Sequence, residues 1–218
     1  VQYLDDAGVL DVPCVMAHCI YLTDEQIARL AEKRETVGMV YCPISNMKIA
    51  DGVARIPEIM QAGCTLGLGT DSNLSNNGLD MFNEMRIGGY LQKVTRDDAT
   101  IMPCQDMLRL ATRGGAAVFK MQDRIGSLEA GKCADIIAVS FEGPHMWPIY
   151  YEHPSNIVEQ IVYSARASDV ITTIVDGNVL MDDRKILTID EKAAFDYVQK
   201  RAKELYARSF PDRRHAQA

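Results

Sequence analysis

The sequence predicts an α/β fold that begins as a parallel sheet or barrel segment and continues into a small β unit and a C-terminal helix. Short apolar runs alternate with helical patterns over the first 122 residues. The pattern changes near residue 123, after which turn residues and a β-hairpin pattern follow. Hydrophobic residues make up 47% of the 218 residues and charged residues 24%, which is ample for a buried core.

The first part of the chain is predicted to contain three strand–helix units. The apolar runs predict strands over 15–17, 37–41 and 65–68, helices over 24–34, 56–61 and 79–94, and loops over 43–46 and 71–78. Thr23 caps the first helix, with Gln26 at the capping-box position. A further helix begins at Pro103 and is expected to be interrupted at Gly114-Gly115. Three units are too few to close a (β/α)8 barrel, which needs about 250 residues.

The second part is predicted as a small β unit followed by a helix. The pattern predicts strands over 134–139, 170–175 and 178–180, a hairpin turn at Asp176-Gly177, a long amphipathic helix over 189–208 and a frayed polar tail over 211–218. Thr188 is the expected cap of that helix, with Glu191 three residues on. We therefore divide the chain into a partial barrel (1–122), a small β composite domain (123–188) and a C-terminal helix with its tail (189–218).

Charge and hydropathy argue against two classes of partner. The formal net charge is −7, whereas nucleic acids and anionic membranes require a basic face. The sequence contains no run of 18 apolar residues, so no membrane-spanning helix is predicted. Six cysteines without C-x-x-C spacing indicate free thiols in a reducing compartment, so we expect a cytoplasmic protein. The N-terminus has no signal-peptide features and no methionine, from which we expect a chain cut from a longer one.

His18 and Asp71 are the strongest candidates for catalytic residues. Each comes just past an apolar run, and α/β barrels place their chemistry at the carboxyl ends of strands. An aspartate there can bind a divalent metal or accept a proton from water, although aspartate is also common as a turn cap. A neutral imidazole can bind metal or hydrogen-bond a reacting group, although a lone histidine is more often structural. The matching positions of the two residues favour a function.

Polar residues after the strand ends are candidates for substrate binding. Ser45 and Asn46 follow the second strand, and Ser72 follows Asp71. Their hydroxyl and amide groups would hold the edge of a heterocycle or a ribose, with ordinary turn chemistry as the competing explanation. The four histidines form no H-x-H or H-E-x-x-H pair, so His18 and Asp71 look like half of an active site.

Four motifs together resemble the amidohydrolase superfamily. They are A-H-C-I-Y-L-T-D-E from Ala17, C-P-I-S-N-M-K from Cys42, G-L-G-T-D from Gly67, and S-N-N-G-L-D-M-F from Ser75. Within the superfamily the chain is most similar to the 5-methylthioadenosine/S-adenosylhomocysteine deaminases and the related triazine chlorohydrolases. The segment G-S-L-E-A-G-K-C-A-D from Gly126 resembles the link to the small β domain of these proteins.

The resemblance implies an α/β fold made of the C-terminal part of a metal-dependent (β/α)8 barrel, strands six to eight, plus a small β domain and a C-terminal helix. In the superfamily, zinc or iron is held by an H-x-H pair, a fifth-strand histidine and an eighth-strand aspartate. The aspartate maps onto Asp71, and the sixth-strand histidine that orients the water or the leaving group maps onto His18. The other ligands and the catalytic glutamate have no counterpart here, so the chain alone is expected to be inactive.

The resemblance further implies hydrolytic deamination of an adenosine-type purine nucleoside with release of ammonia. Asp71 would be both metal ligand and base, and His18 would stabilise the tetrahedral adduct. A triazine chlorohydrolase or a guanine-type deaminase would use the same machinery, and a catalytically silent fragment is the alternative from another class. Because a partial barrel exposes strand edges, we expect the chain to associate with itself as a homo-oligomer.

Overall fold

The computed structural model describes residues 1–210, so the frayed tail predicted for 211–218 lies outside the described residues. Residues 1–210 form two sheets. The first is parallel, in the order β1-β2-β3, with strands Cys14–Ala17, Val37–Tyr41 and Leu66–Leu68. The second is antiparallel, in the order β4-β5-β6-β7, with strands Ile136–Val139, Val170–Val175, Asn178–Asp182 and Lys185–Ile186. The predicted strands of the first part and the hairpin at 176–177 are confirmed.

Helices follow each strand of the parallel sheet. The α-helices of the described chain are α1 Gln2–Asp6, α2 Asp24–Glu32, α3 Pro43–Lys48, α4 Ile56–Gln61, α5 Asn73–Asn76, α6 Met81–Arg96, α7 Cys104–Arg109, α8 Gly115–Val118, α9 Ile157–Glu159 and α10 Glu191–Ser209. The predicted capping box of α2 is present, since Gln26 N donates to Thr23 Oγ1 at 3.3 Å and Thr23 N donates to Gln26 Oε1 at 3.1 Å.

Two predicted loops and one predicted helix cap are wrong. The segment 43–46 is not a loop but begins α3, because a proline in the first helical turn loses no hydrogen bond there. The loop predicted over 71–78 contains the short helix α5, which Ser72 caps. The cap of α10 is Asp190 rather than Thr188, since the Asp190 carboxylate accepts a hydrogen bond from Ala193 N at 3.0 Å.

Parallel pairing brings the carboxyl ends of the three strands to one rim of the sheet. Ala17 of β1 pairs with Val40 of β2, and Val40 pairs with Gly67 of β3. The backbone N–H of His18 then donates to Val40 O at 2.9 Å, which extends the β1–β2 pairing by one residue. The residues that follow each strand therefore emerge side by side.

The main core lies between the parallel sheet and its helices, and β2 is at its centre. Val37, Met39 and Tyr41 of this strand are at most 1% exposed. Among the described residues, β1 and β3 have no second partner strand, and Val15 of β1 is 47% exposed. The sheet is thus open at both edges. The division of the chain into the three units 1–122, 123–188 and 189–218 stays a prediction.

The composition predicted free cysteines and no membrane-spanning helix. All six cysteines are free, with Cys42 and Cys104 buried and the others half-buried. Burial raises the pKa of the Cys42 thiol to about 12, so it is inert at neutral pH. Within residues 1–210, no helix combines the length and the apolar character that crossing a membrane requires.

Gly114-Gly115 does not interrupt a helix, contrary to the prediction. The chain runs from α7 through a π-helical turn, Leu110–Gly114, directly into α8. A Cβ on Gly114 would lie 2.5 Å from the backbone oxygen of Leu66, whereas a Cβ on Gly115 would meet nothing within 4 Å. The glycine at 114 therefore allows the turn to contact the backbone of β3 directly.

We expect Gly114→Ala to lower the free energy of unfolding by about 1–3 kcal/mol, because the new methyl group forces the turn away from β3. Gly115→Ala is the matched control, and it should be neutral or stabilising by about 0.5–1 kcal/mol, since alanine favours helix over glycine. Urea unfolding followed by circular dichroism measures both values. Equal destabilisation by the two variants would contradict this account of the close approach.

Candidate active site

Both candidate catalytic residues have an uncommon backbone conformation. His18 has a φ of 68° and Asp71 a φ of 60°, which is the left-handed region that favours glycine. Such a conformation costs about 1–3 kcal/mol in a non-glycine residue and persists where the surrounding structure holds it. The same strained turn at two strand ends indicates that the surrounding contacts hold both residues in place.

The turns after β1 and β3 bring the two side chains together. His18 Nε2 lies 3.9 Å from Asp71 Oδ2. The side chains are 33% and 29% exposed, so both open toward solvent on one side. A small molecule at the rim of the sheet can therefore reach both groups at once.

Two serines from different segments hold the carboxylate of Asp71. Ser45 Oγ donates to Asp71 Oδ2 at 2.5 Å, and Ser75 Oγ donates to the same oxygen at 2.7 Å. The Ser45 hydrogen bond first, and then that of Ser75, lower the pKa of the Asp71 carboxyl below its ordinary value of 3.8. Asp71 is consequently an anion at neutral pH.

Asn46 holds the imidazole of His18. His18 Nδ1 lies 2.7 Å from Asn46 Oδ1, and because an amide oxygen only accepts, Nδ1 is the donor of this hydrogen bond, which in a neutral imidazole leaves Nε2 without a proton. His18 Nε2 is then an acceptor, and it faces the acceptor Asp71 Oδ2. Two acceptors so close together favour a cation or a water proton between them.

The three predicted substrate-binding residues lie in different environments. Ser45 and Asn46 are fully buried, and their side chains bond to Asp71 and His18. Ser72 is exposed, and its hydroxyl accepts a hydrogen bond from Ser75 N at 3.3 Å as the cap of α5. The contact of these residues with a substrate stays a prediction.

Sequence reasoning missed Glu84, a fully buried carboxylate on α6. Its Oε1 accepts from Asn76 Nδ2 at 2.5 Å, and its Oε2 accepts from Ile44 N at 3.3 Å. Burial raises the pKa of Glu84, and the two hydrogen bonds oppose that rise. The sequence signal that could have identified it is a charged residue on the buried face of α6, beside Phe82 and Met85.

The donor atoms at the rim are of types that bind zinc, but they are fewer than a catalytic zinc site needs. A carboxylate oxygen of Asp71 and the free Nε2 of His18 are donor types that zinc accepts. A catalytic zinc site uses about three protein ligands. No cluster of three or more His, Cys, Asp or Glu side chains suited to a metal occurs in residues 1–210. These residues can therefore supply one part of a coordination shell.

The chain belongs to the amidohydrolase family. The model of that family matches residues 1–180, which is most of the sequence. The motifs around His18, Ser45 and Asp71 lie inside this match, and so does the link from Gly126.

Among its relatives are enzymes named 5-methylthioadenosine/S-adenosylhomocysteine deaminase. The chain is 43% identical to the one from Pelotomaculum thermopropionicum, over 95% of this chain and 46% of that protein. It is 42% identical to the one from Moorella thermoacetica, over 92% of this chain and 45% of that protein. The chain therefore spans about half the length of the curated relatives it matches.

Solved structures show the same fold. An adenosine deaminase from Xanthomonas campestris with bound zinc superposes with a TM-score of 0.88 at 31% identity, over 94% of this chain and 45% of that one. A zinc complex of an atrazine chlorohydrolase from Arthrobacter aurescens gives 0.82 at 22% identity, over 91% and 43%, and this likeness concerns the fold alone. The expected fold, the C-terminal portion of a barrel plus a sheet, is confirmed.

We expect Ser45→Ala to raise the pKa of Asp71 toward 3.8, because it removes the largest contribution that lowers it. The folded-state pKa of Asp71 lies below the unfolded value of about 3.9, so this contribution to stability is present above about pH 4. The contribution is lost as the pH falls through the folded-state pKa. The stability deficit of the variant should therefore be full at about pH 6 and shrink below about pH 4.

The check is an NMR titration of the Asp71 carboxyl carbon, together with urea unfolding at both pH values. Thr70→Val is the matched control, because the Thr70 hydroxyl bonds to the backbone oxygen of Asp71 and not to its carboxylate. An unchanged Asp71 pKa in the Ser45 variant would show that the serine does not hold the carboxylate in solution.

Proposed function

We propose that the protein carrying this chain is a zinc-dependent hydrolase that deaminates an adenosine-type nucleoside of the methylthioadenosine/S-adenosylhomocysteine class. Water adds to C6 of the adenine ring, the C6–N bond breaks, and ammonia leaves. The names of the relatives support the reaction class. The observation that carries the proposal is the 3.9 Å approach of His18 Nε2 to Asp71 Oδ2 at the rim of the sheet.

Asp71 has two roles in this proposal. It contributes a carboxylate oxygen to the zinc site, and it accepts the proton of the attacking water and passes it toward the departing ammonia. The lowered pKa of Asp71 supports the first role, because the ligand must be an anion. When bound, zinc supplies Lewis-acid activation of the water.

His18 orients the water in this proposal. With its proton on Nδ1 and directed to Asn46, its Nε2 accepts a hydrogen bond from the attacking water. The ring stays in position as the tetrahedral adduct forms, since Asn46 is fully buried and fixed in α3. His18 thereby stabilises the adduct without being needed as a metal ligand.

Ser45 and Asn46 act indirectly in this proposal, by holding Asp71 and His18. Their complete burial supports this assignment over direct contact with substrate. Ser72 keeps its proposed contact with the nucleoside, because its side chain lies exposed beside Asp71.

We also propose a cytoplasmic location and self-association. The six free cysteines support a reducing compartment. The unpaired edges of β1 and β3 among the described residues support association through the sheet.

We expect the full-length protein that contains this chain to release ammonia fastest from methylthioadenosine or S-adenosylhomocysteine. The assay compares these two nucleosides with guanine and a chlorotriazine, following ammonia and chloride release. Preference for guanine or release of chloride would replace the proposed substrate with the alternative. Absence of turnover and of stoichiometric zinc would favour a catalytically silent protein.

Asp71→Asn should abolish detectable turnover and lower zinc content, because it removes a ligand and the base together. His18→Gln should lower kcat by about 100- to 10,000-fold, the usual contribution of a proton-handling group, while zinc content stays near that of the parent. Steady-state kinetics and elemental analysis measure both effects.

A second His–Asp pair provides matched controls for these variants. His145 Nε2 lies 2.9 Å from Asp169 Oδ2, and Asp169 Oδ2 also accepts from Arg166 N. His145→Gln and Asp169→Asn should leave kcat and zinc content within about threefold of the parent, since the side-chain hydrogen bonds of the pair are to each other and to Arg166 N rather than to the residues of the site. If His18→Gln behaves like His145→Gln, the role proposed for His18 is wrong.

A further inference from the structure

Glu84 is a buried carboxylate without a cationic partner in the described part of the chain. It is 0% exposed, and none of the ion pairs within residues 1–210 includes it. A buried charge of this kind is costly unless hydrogen bonds compensate it. Its position therefore needs an explanation that packing alone does not provide.

The two oxygens of Glu84 bind two separate segments of the site. Oε2 accepts from the backbone N–H of Ile44, in the first turn of α3, one residue before Ser45. Oε1 accepts from Asn76 Nδ2, one residue after Ser75. One carboxylate thus joins the helix after β2 to the loop after β3, and each segment supplies a serine to Asp71.

We propose that Glu84 is a positioning residue, which sets α3 and the 70–78 loop at the spacing that the carboxylate of Asp71 requires. The proposal rests on the proposed function for its consequences in catalysis. Its structural content, the link between two segments, can be tested without metal or substrate.

The side-chain amide of Asn76 is held in one orientation, so it presents its NH2 group and not its oxygen to Glu84. Asn76 Nδ2 also donates to Thr70 O at 2.6 Å, and Asn76 Oδ1 accepts from Gly78 N at 3.3 Å. Rotating the amide by half a turn would break both of these bonds. Asn76 therefore presents a donor to position 84, and Ile44 presents a second donor.

Only a group with two acceptors serves both donors. Glutamine has one acceptor oxygen and one NH2 group. In Glu84→Gln the NH2 group must therefore face one of the two donors, Ile44 N–H or Asn76 NH2, and that hydrogen bond is lost. The loss of one hydrogen bond to a charged group corresponds to about a 10- to 100-fold change in a local opening equilibrium. The opening should be confined to α3 and the 70–78 loop.

A second substitution should repair one segment and not the other. In Glu84→Gln with Asn76→Asp, the glutamine NH2 donates to the new carboxylate and its oxygen accepts from Ile44 N–H. An aspartate at 76 cannot donate to Thr70 O, so the hydrogen bond from residue 76 to the backbone of its own loop stays broken. The double variant therefore separates positioning from a general loss of stability.

The experiment is hydrogen–deuterium exchange with mass spectrometry on the full-length protein that contains this chain, without added metal or substrate, with Glu58→Gln as the matched control. Glu58 is a carboxylate on α4 whose polar partners are Arg96, at 2.7 Å, and Arg55, rather than α3 or the 70–78 loop. We expect Glu84→Gln to speed exchange about 10- to 100-fold in α3 and the 70–78 loop, and Glu58→Gln to leave both segments unchanged. The double variant should restore α3 to within about threefold of the parent and leave the loop fast.

Uniformly faster exchange across the molecule in Glu84→Gln, or failure of the double variant to restore α3, would overturn the proposal. In the full-length protein, Glu84→Gln should lower kcat and zinc affinity, the latter measured with a chromophoric chelator, while KM changes by less than about threefold. A parent protein that neither binds zinc nor releases ammonia would refute the proposed function, and the exchange result would still decide the role of Glu84.

Discussion

Parallel pairing of three strands is the constraint on which the rest of this structure depends. Because β1, β2 and β3 run in the same direction, whatever follows each strand appears at the same rim. His18, the α3 segment and Asp71 come from separate stretches of sequence, and only this pairing makes them neighbours. A change in strand direction would place them at opposite ends of the sheet.

The support around the rim is arranged in two layers. Ser45 and Asn46 contact the candidate catalytic groups directly, and both are buried in α3. Glu84 lies behind them and connects α3 with the loop that carries Asp71. An unpaired polar group in the interior is costly, and in this network both oxygens of Glu84 are paired, whereas Asn46 Nδ2 has no hydrogen-bond partner among the described residues.

Membership of the amidohydrolase family explains why the described site is partial. The chain covers under half of the deaminases and of the solved structures to which it is similar. The described rim contributes an anionic carboxylate and an oriented imidazole, and the two open edges of the sheet are where further strands would pair. The family and the fold are shown for this chain, and the chemistry assigned to His18 and Asp71 is a proposal that is compatible with both.

Local patterns in the sequence determined the strands, the capping box at Thr23, the hairpin at Asp176-Gly177 and the candidacy of His18 and Asp71. These features depend on residues close together in the chain, where periodicity, turn chemistry and the position after a strand suffice. They also supported the family resemblance, because its motifs are short and contiguous.

Tertiary structure alone decided the features that depend on contacts between distant segments. The left-handed backbone at His18 and Asp71, the glycine required at 114 and the burial of Ser45 are examples. The role of Glu84 is another, because its partners lie in two other segments of the chain. A single sequence records which residues are present but not which distant residues come into contact when the chain folds. Those contacts decide the hydrogen-bond partners.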